Sequence, residues 1–210
     1  GDGVMIVAGN LSYTNDTIIN GGVLQTSGDE RIPNESFVRI NTSGATFRLG
    51  GMETVRGLEG VSNSVVDLPA GASLTMGSTG SSVASTNYFN VTGAGALIKI
   101  GTNQVSFRGN NVLNSLTVSS GRADFRGSNT IQTVNVDSGA LLGYGVTNRA
   151  LGDAVINLAS GSSIGQITTM GTNDADRTIP NKLVVNGDVN SGIVTYGSYF
   201  SGNVDLTGEW

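Results

Sequence analysis

Residues 37–51 read FVRINTSGATFRLGG, a phrase in which two short stretches of alternating apolar residues flank a Ser-Gly-Ala corner. A similar arrangement recurs five times further along the chain, as VVDLPAGASLTM (65–76), FNVTGAGALIKI (89–100), SLTVSSGRADFR (115–126), TVNVDSGALLGY (133–144) and VINLASGSSIGQ (155–166). The glycines at the six corners are Gly44, Gly71, Gly95, Gly121, Gly139 and Gly161, which lie 27, 24, 26, 18 and 22 residues apart. A period of about 20–50 residues is typical of stacked repeats, in which each unit packs on the next.

Each repeat predicts strands rather than helices. Apolar residues recur at a spacing of two, and Gly, Asn, Ser or Thr interrupts the pattern every few residues. The short apolar runs are rich in β-branched residues, which favour strands. Examples are Val4–Val7, Val134–Val136, Val155–Leu158 and Leu183–Val185.

Together these features predict a right-handed parallel β-helix, an all-β solenoid of roughly nine coils of about 20–25 residues. Successive coils pair about 4.8 Å apart, so the rod is about 40 Å long. The whole chain, residues 1–210, forms one domain in this interpretation. A β-sandwich with turns every 8–12 residues or so would explain the alternation, but not the recurrence of one corner at a long period.

Alternate residues of each strand point into the solenoid, so apolar side chains should stack in two inner ladders. The ladder before the corners comprises Val38/Ile40, Val66/Leu68, Leu116/Val118, Val134/Val136 and Ile156/Leu158. The ladder after the corners comprises Phe47/Leu49, Leu74/Met76, Ile98/Ile100 and Leu142. Glycine at each corner provides the backbone conformation that a change of face requires. The polar segments 29–35 and 170–177 are predicted to be loops that project from the stack.

The composition argues against several classes of function. The net charge is −5 and the 11 basic residues form no run. The chain therefore lacks the basic stripe that nucleic acid requires and the polybasic patch that binds an anionic membrane surface. Without His and Cys it has no zinc site of the usual kind, no Ser-His triad and no Cys nucleophile. We expect no cofactor and no metal ion.

The sequence also indicates a polar, weakly charged exterior and an exported protein. Only 13% of the residues are charged, whereas 32 are Gly, about twice the average share. No stretch approaches the ~20 apolar residues of a membrane-spanning helix. The chain starts with Gly and carries no signal peptide, so we expect a processed or excerpted piece of a longer, extracellular protein.

A second set of motifs lies in residues 15–60. It comprises Thr17-Ile18-Ile19-Asn20-Gly21-Gly22, Leu24-Gln25, Pro33, Ser43-Gly44-Ala45-Thr46, Gly50-Gly51 and Leu58-Glu59-Gly60. In this order the motifs resemble the autotransporter-associated β-strand repeat, also called the passenger-associated transport repeat. The resemblance implies a parallel β-helix in a bacterial surface or secreted protein, but no particular binding activity, because the repeat is a scaffold.

One group of charged residues fits polysaccharide chemistry. Asp174, Asp176 and Arg177 lie close together, and Asp153 precedes them by about one coil. Two carboxylates with an arginine can hold a cation and an acidic sugar, or act as acid and base in glycoside cleavage. The alternative is an exposed polar loop without chemistry. Arg108, Arg122 and Arg126 fall on neighbouring coils, either as an outward basic patch or as dispersed solubilising charges.

Two functions follow as expectations. Strand pattern begins at Val4–Val7 and continues into Asn203–Trp210, so one or both ends should be uncapped and able to pair with another chain. The first function is therefore an extracellular structural or adhesive stalk or fibre that self-associates head to tail or laterally, with contacts to a glycan or a host or biofilm matrix. The second is a polysaccharide-acting enzyme or a glycan-binding protein similar to a trimeric phage tailspike. Its candidate groove aromatics are Tyr88, Phe89, Tyr196, Tyr199 and Phe200.

Overall fold

The structure is a computed structural model that describes residues 2–77, 85–145, 150–166, 178–191 and 199–207. Within these ranges the chain is all-β and contains no helix. Its strands are β1 (Val4–Val7), β2 (Thr17–Ile19), β3 (Val23–Thr26), β4 (Phe37–Ile40), β5 (Thr46–Arg48), β6 (Met52–Val55), β7 (Gly57–Gly60), β8 (Val65–Asp67), β9 (Ser73–Met76), β10 (Ser85–Asn87), β11 (Asn90–Thr92), β12 (Ala96–Lys99), β13 (Gln104–Phe107), β14 (Asn111–Val118), β15 (Arg122–Phe125), β16 (Asn129–Val136), β17 (Leu141–Tyr144), β18 (Val155–Leu158), β19 (Ser163–Gln166), β20 (Thr178–Ile179), β21 (Leu183–Asn186), β22 (Asn190–Ser191), β23 (Tyr199–Phe200) and β24 (Val204–Thr207).

The strands pair in parallel from one coil to the next. The main path of the largest sheet has the order β1-β3-β5-β8-β11-β14-β16-β18-β21-β24, so spatial order follows chain order and each coil adds one rung. A second sheet has the order β10-β13-β15-β17-β19-β22, a third has the order β2-β4-β7, and β20 pairs with β23. This topology confirms the predicted parallel β-solenoid of about nine turns, while its right-handed sense stays a prediction.

Two long strands join neighbouring stacks of the largest sheet. β14 pairs with β11 at Asn111 and with β12 from Ser115 to Val118. β16 pairs with both halves of β14, and β6, β9 and β12 stack beside the main path. The largest sheet therefore consists of two columns of strands that merge at β14.

The core lies inside the coils and is built from side chains stacked in register. Leu116, Val134 and Ile156 occupy successive rungs and are fully buried. On the second sheet the rings of Phe107 and Phe125 stack with their centroids 4.6 Å apart. Because like side chains meet on successive coils, each coil removes the apolar surface of its neighbour from water.

The first predicted ladder is buried throughout but is divided between two sheets. Val38 and Ile40 lie on β4, which pairs with β2 and β7 in the third sheet. Val66 lies in the largest sheet, between Phe47 and Val91. The prediction of a single ladder was wrong here because a strand before a corner does not belong to the same face in every coil.

The second predicted ladder is also divided. Phe47 stacks with Val66, Leu74 stacks with Leu97, and Leu142 lies in the second sheet.

The second predicted ladder is moreover wrong in register at one repeat. Leu97 and Lys99 are buried, whereas Ile98 and Ile100 are only partly buried. The register of β12 on β9 places Leu97 beside Leu74. A shift of one residue would turn that leucine outward, so the strand keeps its leucine inside and takes a lysine into the core.

Five of the six predicted corner glycines have φ between 66° and 84°, a region that residues with a Cβ rarely adopt. They are Gly44, Gly71, Gly121, Gly139 and Gly161. Gly95 differs, because a Cβ at this position would lie 2.6 Å from the carbonyl oxygen of Ala72. Most corners therefore require glycine because of its backbone conformation. The corner at Gly95 requires it because the backbone of the neighbouring coil lies too close for a Cβ atom.

Candidate functional site

The acidic group predicted from the sequence falls largely outside the described residues, which include neither Asp174, Asp176 and Arg177 nor the rest of the loop 170–177. Asp153 is described and is exposed. It is the one carboxylate among the residues that line a surface pocket beside segment 128–132. In the described ranges no three acidic side chains form a group that could hold a metal ion. The polysaccharide-cleaving interpretation therefore stays a prediction.

The predicted groove aromatics have different environments. Tyr88 is 44% exposed, whereas Phe89 is buried in the core. Phe200 is partly buried against the core. Tyr196 and the side chain of Tyr199 lie outside the part that the structure describes. Tyr88 is therefore the most accessible of the described members.

A buried carboxylate holds the loop 29–35 against the stack. Glu53, on β6, is 1% exposed, and its oxygens accept hydrogen bonds from the backbone N–H groups of Arg31 (2.8 Å) and Ile32 (3.1 Å). Ile32 is also buried, so part of the loop packs on the solenoid. The prediction that the whole loop projects from the stack was wrong. Burial raises the pKa of Glu53, and the two backbone donors act in the opposite direction.

Lys99 is a cation within the core. Its side chain is fully buried, and its ammonium donates hydrogen bonds to the carbonyl oxygens of Ile100 (2.9 Å), Gly101 (2.7 Å) and Ser120 (3.0 Å). Loss of hydration lowers the pKa of Lys99 to about 8. Backbone oxygens replace water around the charge, which ties two successive corners together.

We expect Lys99→Met to remove a pH dependence of stability in the alkaline range. The pKa of Lys99 changes from 10.5 in the unfolded chain to about 8 in the folded one, so the unfolded chain binds more protons between these values. The free energy of unfolding should therefore rise with pH, by roughly 2 kcal/mol between about pH 7.5 and 9.5. Urea denaturation at a series of pH values measures this rise. The control Lys182→Met, at an exposed lysine, should retain it, and a rise that persists in Lys99→Met would contradict the assignment.

Buried asparagines form a ladder that the sequence analysis did not predict. Asn111 and Asn129 lie on successive rungs, and Nδ2 of Asn111 donates to Oδ1 of Asn129 (2.6 Å). Nδ2 of Asn129 in turn donates to the carbonyl oxygens of Gly127 (3.0 Å) and Ala150. The sequence signal for this ladder is the repeated phrase Phe-Arg-Gly-x-Asn, at 107–111 and 125–129.

Charged side chains on the outer surface of the third sheet pair with one another. Arg39 pairs with Asp16 (3.0 Å) and Glu59, and Arg56 reaches Asp16 (3.4 Å). Both guanidinium groups also lie near the ring of Phe37. These side chains are partly exposed, so each pair contributes only about 0–1 kcal/mol. Because its charges offset each other, this surface attracts a charged ligand only weakly.

The three arginines on neighbouring coils divide into two groups. Arg122 donates to the buried carboxylate of Asp124 (2.6 Å), which also accepts a hydrogen bond from Gln104 (2.7 Å). Arg108 and Arg126 follow two phenylalanines that pair on adjacent rungs of the second sheet. Arg108 and Arg126 therefore lie on adjacent rungs, and Arg122 has a structural partner in Asp124.

Within the described residues β1 and β24 are the outermost strands of the largest sheet. β1 pairs with β3 and β24 pairs with β21, and no strand in the described ranges lies on their other sides. Apolar side chains on these strands are exposed, namely Val4 (56%), Met5 (64%), Ile6 (59%), Val204 (47%) and Leu206 (62%). Unpaired apolar edges are positions at which a further strand can add.

No family model matches this chain, and neither a curated protein nor a solved structure matches it. The structure thus establishes the β-solenoid fold, while the resemblance of residues 15–60 to the autotransporter repeat rests on the motifs alone. In the parts of the chain described above, no helix has the length and hydrophobicity to cross a membrane.

Proposed function

We propose that this chain is a structural β-solenoid of a bacterial surface or secreted fibre, which extends by head-to-tail joining of its copies. The observation that supports this proposal is the exposed apolar side chains of β1 and β24, the outermost strands of one parallel sheet in the described part of the chain. A strand from a second copy at either edge continues the ladder of hydrogen bonds in the way that each internal rung does.

The alternation of side chains at the two edges is compatible with such a joint. On β24, Val204 and Leu206 pair with the buried residues of β21 and share their inward face. On β1, Val7 is buried, and Met5 lies on the same side of the strand. When Leu206 lies beside Val7 of the next copy, Val204 lies beside Met5, so the apolar interior continues across the joint.

An extracellular location and a scaffold role belong to the same proposal. The motifs of residues 15–60 and the absence of Cys support export. Glu53 and Lys99, two buried titratable residues, bind backbone groups, which supports a structural role rather than a catalytic one. Attachment to a glycan or a matrix is compatible with this role, because a rod presents a long lateral surface.

Electron microscopy of the purified chain at increasing concentration, with light scattering, tests the joint. We expect filaments with an axial repeat of about 40 Å, which is nine coil spacings of about 4.8 Å, or a small multiple of it. Leu206→Lys should abolish the filaments, because it places an ammonium on the inward face of the joining edge.

A matched control is available on the same strand. Asp205→Asn changes the net charge by the same amount as Leu206→Lys. Asp205 lies between the inward-facing residues of the strand and is exposed, so we expect the Asp205→Asn variant to form filaments. Dispersed short rods in the unaltered chain at all concentrations would contradict the proposal. Filaments that persist in Leu206→Lys would show that the joint lies elsewhere.

A further inference from the structure

Two consecutive coils carry one phrase, FRGNN at 107–111 and FRGSN at 125–129. In both copies the Phe is buried in the core and the final Asn belongs to the buried ladder. The Arg between them, Arg108 or Arg126, lies on the outward side of the strand. Tyr88 occupies the same position one coil earlier. Tyr88, Arg108 and Arg126 thus form an outward column across three coils, about 4.8 Å apart, which we call the arginine column.

Backbone hydrogen bonds fix this column. The N–H of Arg108 donates to the carbonyl oxygen of Asn87 (2.7 Å), and the N–H of Arg126 donates to that of Phe107 (2.9 Å). The glycine after each arginine allows the backbones of adjacent coils to approach closely, since a Cβ at Gly127 would lie 2.0 Å from the carbonyl oxygen of Gly109. The backbones of the two arginines are therefore held on adjacent rungs by the fold itself.

The column carries two positive charges without a carboxylate partner among the described residues. Like charges directly opposite each other on paired strands are destabilising. By contrast, Arg39, Arg48 and Arg122 each form an ion pair. Nε of Arg126 is buried and has no hydrogen-bond partner in the described part of the chain. An anion bound at the outer surface would offset the repulsion between the two charges.

The tyrosine adds a second kind of contact. The guanidinium of Arg108 lies 5.6 Å from the ring centroid of Tyr88, and the tyrosine is 44% exposed. An exposed ring offers an apolar face and a hydroxyl group to a ligand. The planar guanidinium group binds a carboxylate through two parallel hydrogen bonds. Aromatic and cationic contacts in one line suit a ligand that combines rings with carboxylates.

We propose that the arginine column binds an acidic polysaccharide, a linear chain of uronate-type sugars that lies along the rod axis across successive coils. Its carboxylates meet Arg108 and Arg126 in turn, and one sugar ring covers Tyr88. The net charge of −5 and the short column disfavour nucleic acid, which requires a longer basic stripe. They also disfavour an anionic membrane, which binds clusters of about 4–8 basic residues. This inference adds a ligand to the rod and does not depend on head-to-tail joining.

Isothermal titration calorimetry of the whole chain with tetragalacturonate, and with its neutral methyl ester, tests the inference. We expect the ester to bind at least about tenfold more weakly, and the variant Arg108→Gln/Arg126→Gln to lose about tenfold or more in affinity for the acid. Arg56→Gln removes an exposed arginine from the third sheet and should leave binding unchanged. Tyr88→Leu should weaken binding without a change of charge.

Several results would overturn the inference. They are an absence of tetragalacturonate binding, equal binding of acid and ester, or full affinity in the double variant. Tighter binding of single-stranded DNA or of phosphatidylserine vesicles through the same two arginines would overturn the assignment to a polysaccharide. The thermal midpoint of the double variant should be unchanged or higher, because a repulsion is removed. Filaments should form normally in this variant, so failure of this inference is distinguishable from failure of the end-to-end joint.

Discussion

Phe125→Ala is expected to lower the free energy of unfolding by about 3–5 kcal/mol. The ring is fully buried and stacks on that of Phe107 at 4.6 Å, and the next rung places Tyr144 on its other side. Because the backbone rungs above and below are fixed by parallel hydrogen bonds, the site cannot collapse to fill the cavity. Urea denaturation followed by circular dichroism measures the loss.

The control is Tyr88→Ala, which truncates an exposed aromatic side chain one coil before Phe107. It should cost less than about 1 kcal/mol, because little packing is lost. A similarly small cost for Phe125→Ala would contradict the role of the phenylalanine stack in holding successive coils together.

Asn129→Leu is expected to cost roughly 3–5 kcal/mol, since it removes the four hydrogen bonds of a buried side chain and leaves their partners unsatisfied. Oδ1 of Asn129 accepts from the backbone N–H (3.2 Å) and the side chain (2.6 Å) of Asn111, and Nδ2 donates to two carbonyl oxygens. Chemical denaturation of the variant measures the cost. Asn157→Leu is the control, because this partly exposed side chain donates to Asn135, and its cost should be below about 1.5 kcal/mol. Equal costs for the two variants would contradict a special role of the buried ladder.

The fold was predictable because its determinants are local and repeated. Alternation at a spacing of two predicts strands, and a corner that recurs at about 23 residues predicts stacked coils. Five of the corner glycines adopt the positive φ expected of them. The hydrophobic ladders were correct wherever the apolar pattern coincided with the register, as it does at Leu116, Val134 and Ile156.

The interior polar residues were not predictable for a physical reason. Lys99 is buried because three carbonyl oxygens from two corners converge on its ammonium. The sequence pattern does not show where backbone carbonyl groups converge. Apolar pattern alone assigned Ile98 and Ile100 to the interior, but the pairing of Leu97 with Leu74 decided the register. Glu53 was missed similarly, since its partners are backbone N–H groups of a loop.

The candidate ligand site was partly predictable. Arg108 and Arg126 are 18 residues apart. This spacing equals the shortest interval between two corner glycines, so the sequence predicted that the two arginines lie on neighbouring coils. It did not show that Arg122 would form an ion pair with Asp124, whereas the other two have no carboxylate partner among the residues that the structure describes. Alternation places Arg122, Asp124 and Arg126 on the same side of the chain. The distinction depends on which arginine side chain turns towards the carboxylate, and the sequence does not show this.

The parallel pairing of every rung has a mechanical consequence. The strands lie across the rod, so the hydrogen bonds between coils run along its axis and carry tension directly when the rod is pulled. Each coil is held mainly by its two neighbours, as β3 is held by β1 and β5. We therefore expect force to separate the coils one after another, so that the chain extends in steps. The coils that are still paired keep their lateral surface while force is applied.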